Sequence, residues 1–120
     1  MLQIVFVLDD PALLTDVLEA WTTTGVKGIT IIESTGVHRV RGRANTHDAP
    51  LMLGLSRLLR TDQVGHTTLF AVVEDMAIVE RVKEATETVV GDLSGPNTGI
   101  LFAVPVAAAW GLPKQPLAEG

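Results

Sequence analysis

The sequence predicts a single α+β domain with a four-stranded antiparallel sheet and two helices. Short runs of aliphatic and β-branched residues predict the strands, and longer stretches in which apolar residues recur at helical spacing predict the helices. A length of 120 residues suits one domain. The elements follow the order strand, helix, strand, strand, helix, strand.

The first strand and the first helix occupy the N-terminal part of the chain. Leu2–Leu8 is short, aliphatic and β-branched, which predicts a buried strand. Asp9 or Asp10 then caps a helix with Pro11 in its first turn, where the missing N–H of proline costs nothing. Gly25 ends this helix. Its apolar residues form one stripe: Leu13, Leu14, Val17, Leu18 and Trp21.

The remaining elements follow from the same two periodicities. Residues 28–33 and 67–74 predict the second and third strands. Between them, leucines at positions 51, 55, 58 and 59 predict a short helix over 51–59, which leaves a loop over 36–50. An apolar stripe predicts the second long helix at about 76–90 and a final strand over 99–106. The domain then spans 1–112, and 113–120 is expected to form a flexible tail.

This order of elements is that of the split βαβ, or ferredoxin-like, arrangement. Both helices then lie on one face of the sheet. The strands are too aliphatic for the other face to meet water. We therefore predict self-association through the sheet.

Composition limits the classes of function. The chain has no cysteine, which excludes disulfides, thiolate metal sites and cysteine nucleophiles and fits a reducing cytosol. A net charge of −5 and a pI near 5.0 argue against broad binding to nucleic acid. The apolar N-terminus is too short and acid-terminated for a signal peptide, and no apolar run approaches the ~20 residues of a membrane span. We expect a cytoplasmic protein that does not insert into membranes.

Residues 25–39 form a β-branched strand between a glycine-rich turn and arginines, which suits an anion site. They match the pattern Gly-x-x-Gly-x-Thr-x-x-Glu-x-x-Gly-x-x-Arg of the PII signalling proteins, the P-II nitrogen regulatory superfamily. The matching residues are Gly25, Val26, Gly28, Ile29, Thr30, Glu33, Gly36 and Arg39. Residues 79–82 and 99–106 resemble the second helix and the last strand of that family. The resemblance covers about residues 1–112 except the middle loop. It implies a homotrimer that binds adenine nucleotides in clefts between subunits.

The resemblance and the glycine-rich segments together give a ligand-binding set. Its members are Thr30, Gly36, Val37, His38, Arg39, Arg41, Gly91, Asp92, Gly95, Asn97, Thr98 and Gly99. The turn over 90–99 departs from the family because it lacks the phosphate-binding lysine. Its glycines, with Ser94, Asn97 and Thr98, either form a backbone nest for an anion or make a long turn that uses glycine, proline and asparagine for backbone geometry.

Two further departures affect the site. Ala-Ala-Ala-Trp replaces the Arg-x-Arg that follows the last strand in the family, and Trp110 either stacks on a base or plugs the cleft, with its packing role favouring the plug. The central loop is shortened and the chain has no tyrosine, which excludes regulation by tyrosine uridylylation. Arg39, Arg41 and Arg43 project to one face if this loop is extended. These arginines either bind an anion or an acidic partner, or they belong to a solvated loop that has no ligand.

Metal and catalytic sites have weaker support. His38, His47 and Asp48 lack a spacing that aims them at one cation, and His66 is expected in the turn before the third strand. Glu33 is either a buried carboxylate with a raised pKa that acts as a base, or a residue that pairs with an arginine or faces a subunit boundary. We expect no enzyme and no tightly bound cofactor.

The sequence therefore predicts a trimeric PII-like regulatory protein. Its expected effector is a small anion, with ATP, ADP or another nucleotide as the candidate, and ordering of the loop over 37–50 is expected to signal to a regulated protein. The alternative is a CutA-like trimer that binds cations or serves only as a structural or protein-interaction module, without a nucleotide site.

Overall fold

The computed structural model describes residues 1–35 and 65–117. Over these residues the protein is an α+β domain whose four strands form one antiparallel sheet. The strands are β1 (Leu2–Leu8), β2 (Thr30–Thr35), β3 (Gly65–Val73) and β4 (Ile100–Pro105). A 3-10 turn (Pro11–Leu13) leads into helix α1 (Leu14–Thr22), and helix α2 (Met76–Val90) precedes β4. The predicted loop over 36–50 and helix over 51–59 lie outside the described residues.

The sheet has the order β2-β3-β1-β4, so β1 and β3 lie in the middle and β2 and β4 lie at the edges. Leu2 of β1 pairs with Val73 of β3 and with Pro105 of β4. This arrangement is compatible with a ferredoxin-like fold. In the parts of the chain that the structure describes, no helix is long and apolar enough to cross a membrane.

Most predicted element boundaries agree with the structure to within two residues. The prediction for β1 is confirmed, and the helix predicted at about 76–90 is Met76–Val90. Asp10 accepts a hydrogen bond from Ala12 N at 3.0 Å, and Asp75 accepts one from Ile78 N at 3.0 Å, so an aspartate caps each helical segment. β2 begins at Thr30 rather than at position 28, and β3 begins at Gly65 rather than at 67.

The core lies between the helices and one face of the sheet. Side chains alternate along a strand, and every second residue of β1 and β3 points to this covered face. The covered face is formed by Ile4, Phe6, Leu8, Leu69, Ala71 and Val73, and the helices add Val17, Trp21, Val79 and Val82. Trp21 Nε1 donates to Thr86 Oγ1 at 2.9 Å and thereby joins the two helices inside the core.

The opposite side of the sheet, here called the open face, carries no Asp, Glu, Lys or Arg on the four described strands, and His66 lies at its margin. Three rows of directly paired residues cross it. The rows are Thr30, Phe70, Val5 and Phe102; Ile32, Thr68, Val7 and Ile100; and Val72, Gln3 and Val104. Ile100 is 63% exposed and Phe102 is 46% exposed. No described helix covers the open face.

Candidate effector-binding site

A cleft of about 560 Å³ lies at the end of the sheet where β1 begins and β3 ends. It exists because β3 continues to Val73, whereas its last pair with β2 is Phe70 with Thr30. Residues 25–29 leave the sheet at this point. The final residues of β3 therefore have a partner strand, β1, on one side only.

The cleft is mainly apolar. Its walls include Ile29, Phe70, Val72, Ile78, Leu112 and Pro113. Among the few polar groups on its lining are Thr30, Lys27 and Glu74. Lys27 Nζ lies 2.5 Å from Glu74 Oε1, and both side chains are partly exposed, so this ion pair is accessible to solvent. An apolar concavity of this size with a few polar groups suits a small molecule with a flat apolar part and a polar edge.

The segment after β4 helps to form this cleft. Leu112 and Pro113 line it, and Leu117 N donates to Val26 O at 2.9 Å. A side chain at Gly28 would contact the Pro113 ring. Residues 112–117 thus pack along the segment that connects α1 to β2.

The glycine-rich turn over 91–99 lies at the other end of the sheet, before β4. Gly91, at φ +92°, begins it, and Asn97 has a positive φ of 63°. Gly99 has a φ of +101°, and a Cβ there would overlap Val7 O and the Phe6 ring. Only glycine fits at position 99, because the backbone has a positive φ and lies close to β1 at this point.

Carboxylates of the same chain accept hydrogen bonds from the backbone amides at the start of this turn. Asp92 Oδ1 accepts from Ser94 N at 2.9 Å and from Ser94 Oγ at 2.7 Å. Glu87 Oε2 accepts from Leu93 N at 3.0 Å, and Asp92 O accepts from Gly95 N at 2.9 Å. The hydrogen bonds from Ser94 lower the pKa of Asp92, because they stabilise its ionised form.

Two negative groups therefore lie where a backbone nest would hold an anion. This geometry favours the turn that uses glycine, proline and asparagine for its own conformation. The ligand-binding role of the turn stays a prediction.

The predicted ligand-binding residues fall into three groups. Thr30 lines the cleft. Gly91, Asp92, Gly95, Asn97, Thr98 and Gly99 belong to the turn that leads into β4. Gly36, Val37, His38, Arg39 and Arg41 lie outside the described residues. Because β2 and β4 are the two edges of the sheet, three strand spacings, or about 14 Å, separate them. The described members do not converge within one chain.

The structure corrects two residue interpretations. His66 is not a turn residue: it is buried within β3, and its Nε2 lies 3.4 Å from Asp9 Oδ1. Glu33 is exposed on the edge strand β2, so it is not a buried base. Within residues 1–35 and 65–117, no three His, Asp or Glu side chains are grouped to hold a metal ion. His38, His47 and Asp48 lie outside these ranges.

Sequence reasoning missed most of the cleft. Phe70 and Val72 were assigned only to a strand, and Pro113 was assigned to a frayed tail. Gly25, with a φ of +103°, begins the segment over 25–29 that lies outside the sheet. No local pattern signals that β3 extends beyond its partner.

No model of a known protein family matches this chain, and no curated protein shows significant sequence similarity to it.

Proposed function

We propose that this chain is a PII-like regulatory protein of ferredoxin-like fold that acts in the cytoplasm as a homotrimer. It binds a small anionic effector, an adenine nucleotide such as ATP or ADP, in clefts between subunits and signals to a partner protein. The observation that carries this proposal is the apolar cleft beside Thr30, since Thr30 was expected to bind ligand on independent grounds.

The position of the cleft supports a site between subunits. Thr30, Phe70 and Val72 line the cleft and also belong to the open face. A second copy that packs on the open face would therefore border the cleft. The predicted ligand residues that one chain keeps apart would be supplied by two chains.

In this proposal, different residues of the site bind the base and the phosphates of the nucleotide. The apolar walls take the base, and the Thr30 hydroxyl offers one hydrogen bond to its polar edge. The phosphates need cationic groups, which the predicted Arg39 and Arg41 supply. Binding changes the fit to a partner only as far as the effector prefers one state of the protein over the other.

Isothermal titration calorimetry with ATP, ADP and AMP tests this function. The Thr30→Val variant should bind several-fold more weakly, because a neutral hydrogen bond contributes about 1 kcal/mol. Thr15→Val, an exposed substitution on α1, should bind as the unmodified protein does. Arg39→Ala should lose most of its affinity and keep the assembly. No heat of binding and no thermal shift with any nucleotide would reject the nucleotide role.

A trimer without a nucleotide site is the second candidate function. The hydrogen bonds that Asp92 and Glu87 accept in the glycine-rich turn favour it, since they place negative charge where phosphates would lie. A CutA-like cation-binding or protein-interaction module fits this observation. Divalent cations that raise the melting temperature where nucleotides do not would select it, because a ligand stabilises the state that binds it.

A further inference from the structure

Trp110 is presented to solvent from an anchored segment. Its side chain is 87% exposed, whereas Trp21, the other tryptophan, is fully buried. Before Trp110, Val106 N donates to Met1 O at 3.0 Å, and after it Leu112 lines the cleft. The chain is thus held on both sides of a large apolar side chain that the described elements leave exposed. Trp110 is not among the residues that line the cleft.

The segment around Trp110 has the same character as the open face. Residues 106–113, here called the apolar segment, read Val-Ala-Ala-Ala-Trp-Gly-Leu-Pro and carry no charge. The rows that cross the open face carry none either. The chain has a net charge of −5, yet both of these exposed surfaces are uncharged. Another molecule can therefore bind to either surface without burying an unpaired charge.

We infer that Trp110 is the anchor by which one copy of this chain docks on the open face of a second copy. The two surfaces are complementary in character but do not meet within one chain, because Trp110 is exposed. A contact between different surfaces of identical chains is head-to-tail, and it closes into a ring when its rotation permits. This inference rests on the self-association in the proposed function and names the residue that the neighbouring copy contributes.

Dimensions and residue type favour this contact. Four strands about 4.8 Å apart and six residues long present roughly 300 Å² of flat surface, which is the size of the largest apolar patch on a typical monomer, a patch that is often functional. Tryptophan is enriched among the few residues that carry most of the binding energy of an interface. An exposed tryptophan on an anchored segment fits this role.

Iodide quenching of tryptophan fluorescence, followed together with sedimentation velocity over a dilution series, tests the inference. Trp21 is buried, so only Trp110 is open to iodide in the separate chain. As the protein assembles, the quenchable part of the emission should disappear. Emission that stays fully quenchable in the assembled protein would overturn the inference and leave self-association standing.

Two variants test the two surfaces separately. Trp110→Ala should weaken association by on the order of thirtyfold or more, as expected for an anchor residue, and leave the circular dichroism spectrum unchanged. Ile100→Glu places a charge on the open face and should weaken association similarly. Met76→Ala, half exposed on the first turn of α2, is the control and should not change it.

A mixture of the two defective variants distinguishes the contact geometry. The Ile100→Glu chain keeps Trp110, and the Trp110→Ala chain keeps an intact open face, so equal amounts should form a complex of two chains. A mixture that behaves as the separate variants do would overturn the head-to-tail contact. An unmodified protein that stays monomeric at every concentration would overturn both this inference and the proposed trimer. Nucleotide binding is tested separately by the titration described above, so failure of the contact and failure of the nucleotide site are distinguishable.

Discussion

The two faces of the sheet have similar apolar composition but different environments. On the covered face, Phe6 is fully buried beneath the helices, whereas on the open face Phe102 is 46% exposed. Both phenylalanines lie on neighbouring strands of the same sheet. The difference shows that the helices bury one face of the sheet, whereas side chains of similar apolar character on the other face stay partly exposed in the part of the chain that the structure describes.

The largest effect expected from this comparison is a difference between two phenylalanine truncations. Phe6→Ala should lower the free energy of unfolding by about 3–5 kcal/mol, because it leaves a cavity in the core. Phe102→Ala should lower that of the separate chain by only about 1 kcal/mol. Urea denaturation, at a protein concentration too low for the chains to assemble, measures both losses. Equal losses would mean that the two faces are buried alike in one chain.

The next effect concerns two glycines in the turn before β4, of which only Gly99 lies against β1 and the core. Gly99→Ala should cost at least about 2–3 kcal/mol, since the added methyl group overlaps Val7 O and the Phe6 ring at a positive φ. Gly91→Ala, also at positive φ but with nothing within 4 Å of its Cβ, should cost about 1 kcal/mol. Thermal unfolding of both variants compares them. A Gly91 variant as unstable as the Gly99 variant would show that dihedral strain alone sets the cost.

A third test concerns the polar contact inside the covered core. Thr86→Val keeps the shape of the side chain but removes the acceptor for Trp21 Nε1, which is 2.9 Å away. The buried indole N–H is then unpaired, and stability should fall by about 1–3 kcal/mol. Thr88→Val, on the exposed side of α2, should change stability by less than about 0.5 kcal/mol. Denaturant unfolding gives both values, and a stable Thr86 variant would contradict the assignment.

The smallest effect lies in the turn before β4, away from both faces. Hydrogen bonds from Ser94 lower the pKa of Asp92. Since the folded-state pKa is depressed, the contribution to stability is present above the unfolded pKa and is lost as the pH falls through the folded pKa, below about pH 4. Ser94→Ala should raise the pKa of Asp92, measured by a carboxyl NMR titration. Ser34→Ala is the control, and an unchanged titration of Asp92 in the Ser94 variant would contradict the assignment.

Much of the local structure could be predicted from the sequence. The strand Leu2–Leu8 and the helix Met76–Val90 follow from periods of two and 3.6 residues and from aspartate caps, which act within a few residues. His66 was misplaced because it looked like a turn residue, yet pairing with Ser34 on β2 extends β3 to include it. Strand ends depend on partners that are remote in sequence.

The candidate site was less predictable than the fold. Thr30, one of the predicted ligand-binding residues, lines the cleft, but the turn over 91–99 lies at the other end of the sheet. From the sequence, the amides of that turn either bind an anion or serve only the conformation of the turn. In the structure Leu93 N and Ser94 N donate to carboxylates of the same chain. Hydrogen-bond partners of loop amides depend on conformation, which residue type alone does not specify.

The order of the elements, their periods and the mainly uncharged character of the strands can be read from the sequence, because these properties follow from residue type and local backbone geometry. The covered face of the sheet, in contrast, depends on tertiary packing. β1 is apolar on both sides, so Ile4 and Phe6 cannot be distinguished by pattern from Val5 and Val7. The packing of α1 and α2 selects the covered face, and the register of β2 against β3 opens the cleft. Both depend on contacts between segments far apart in the chain.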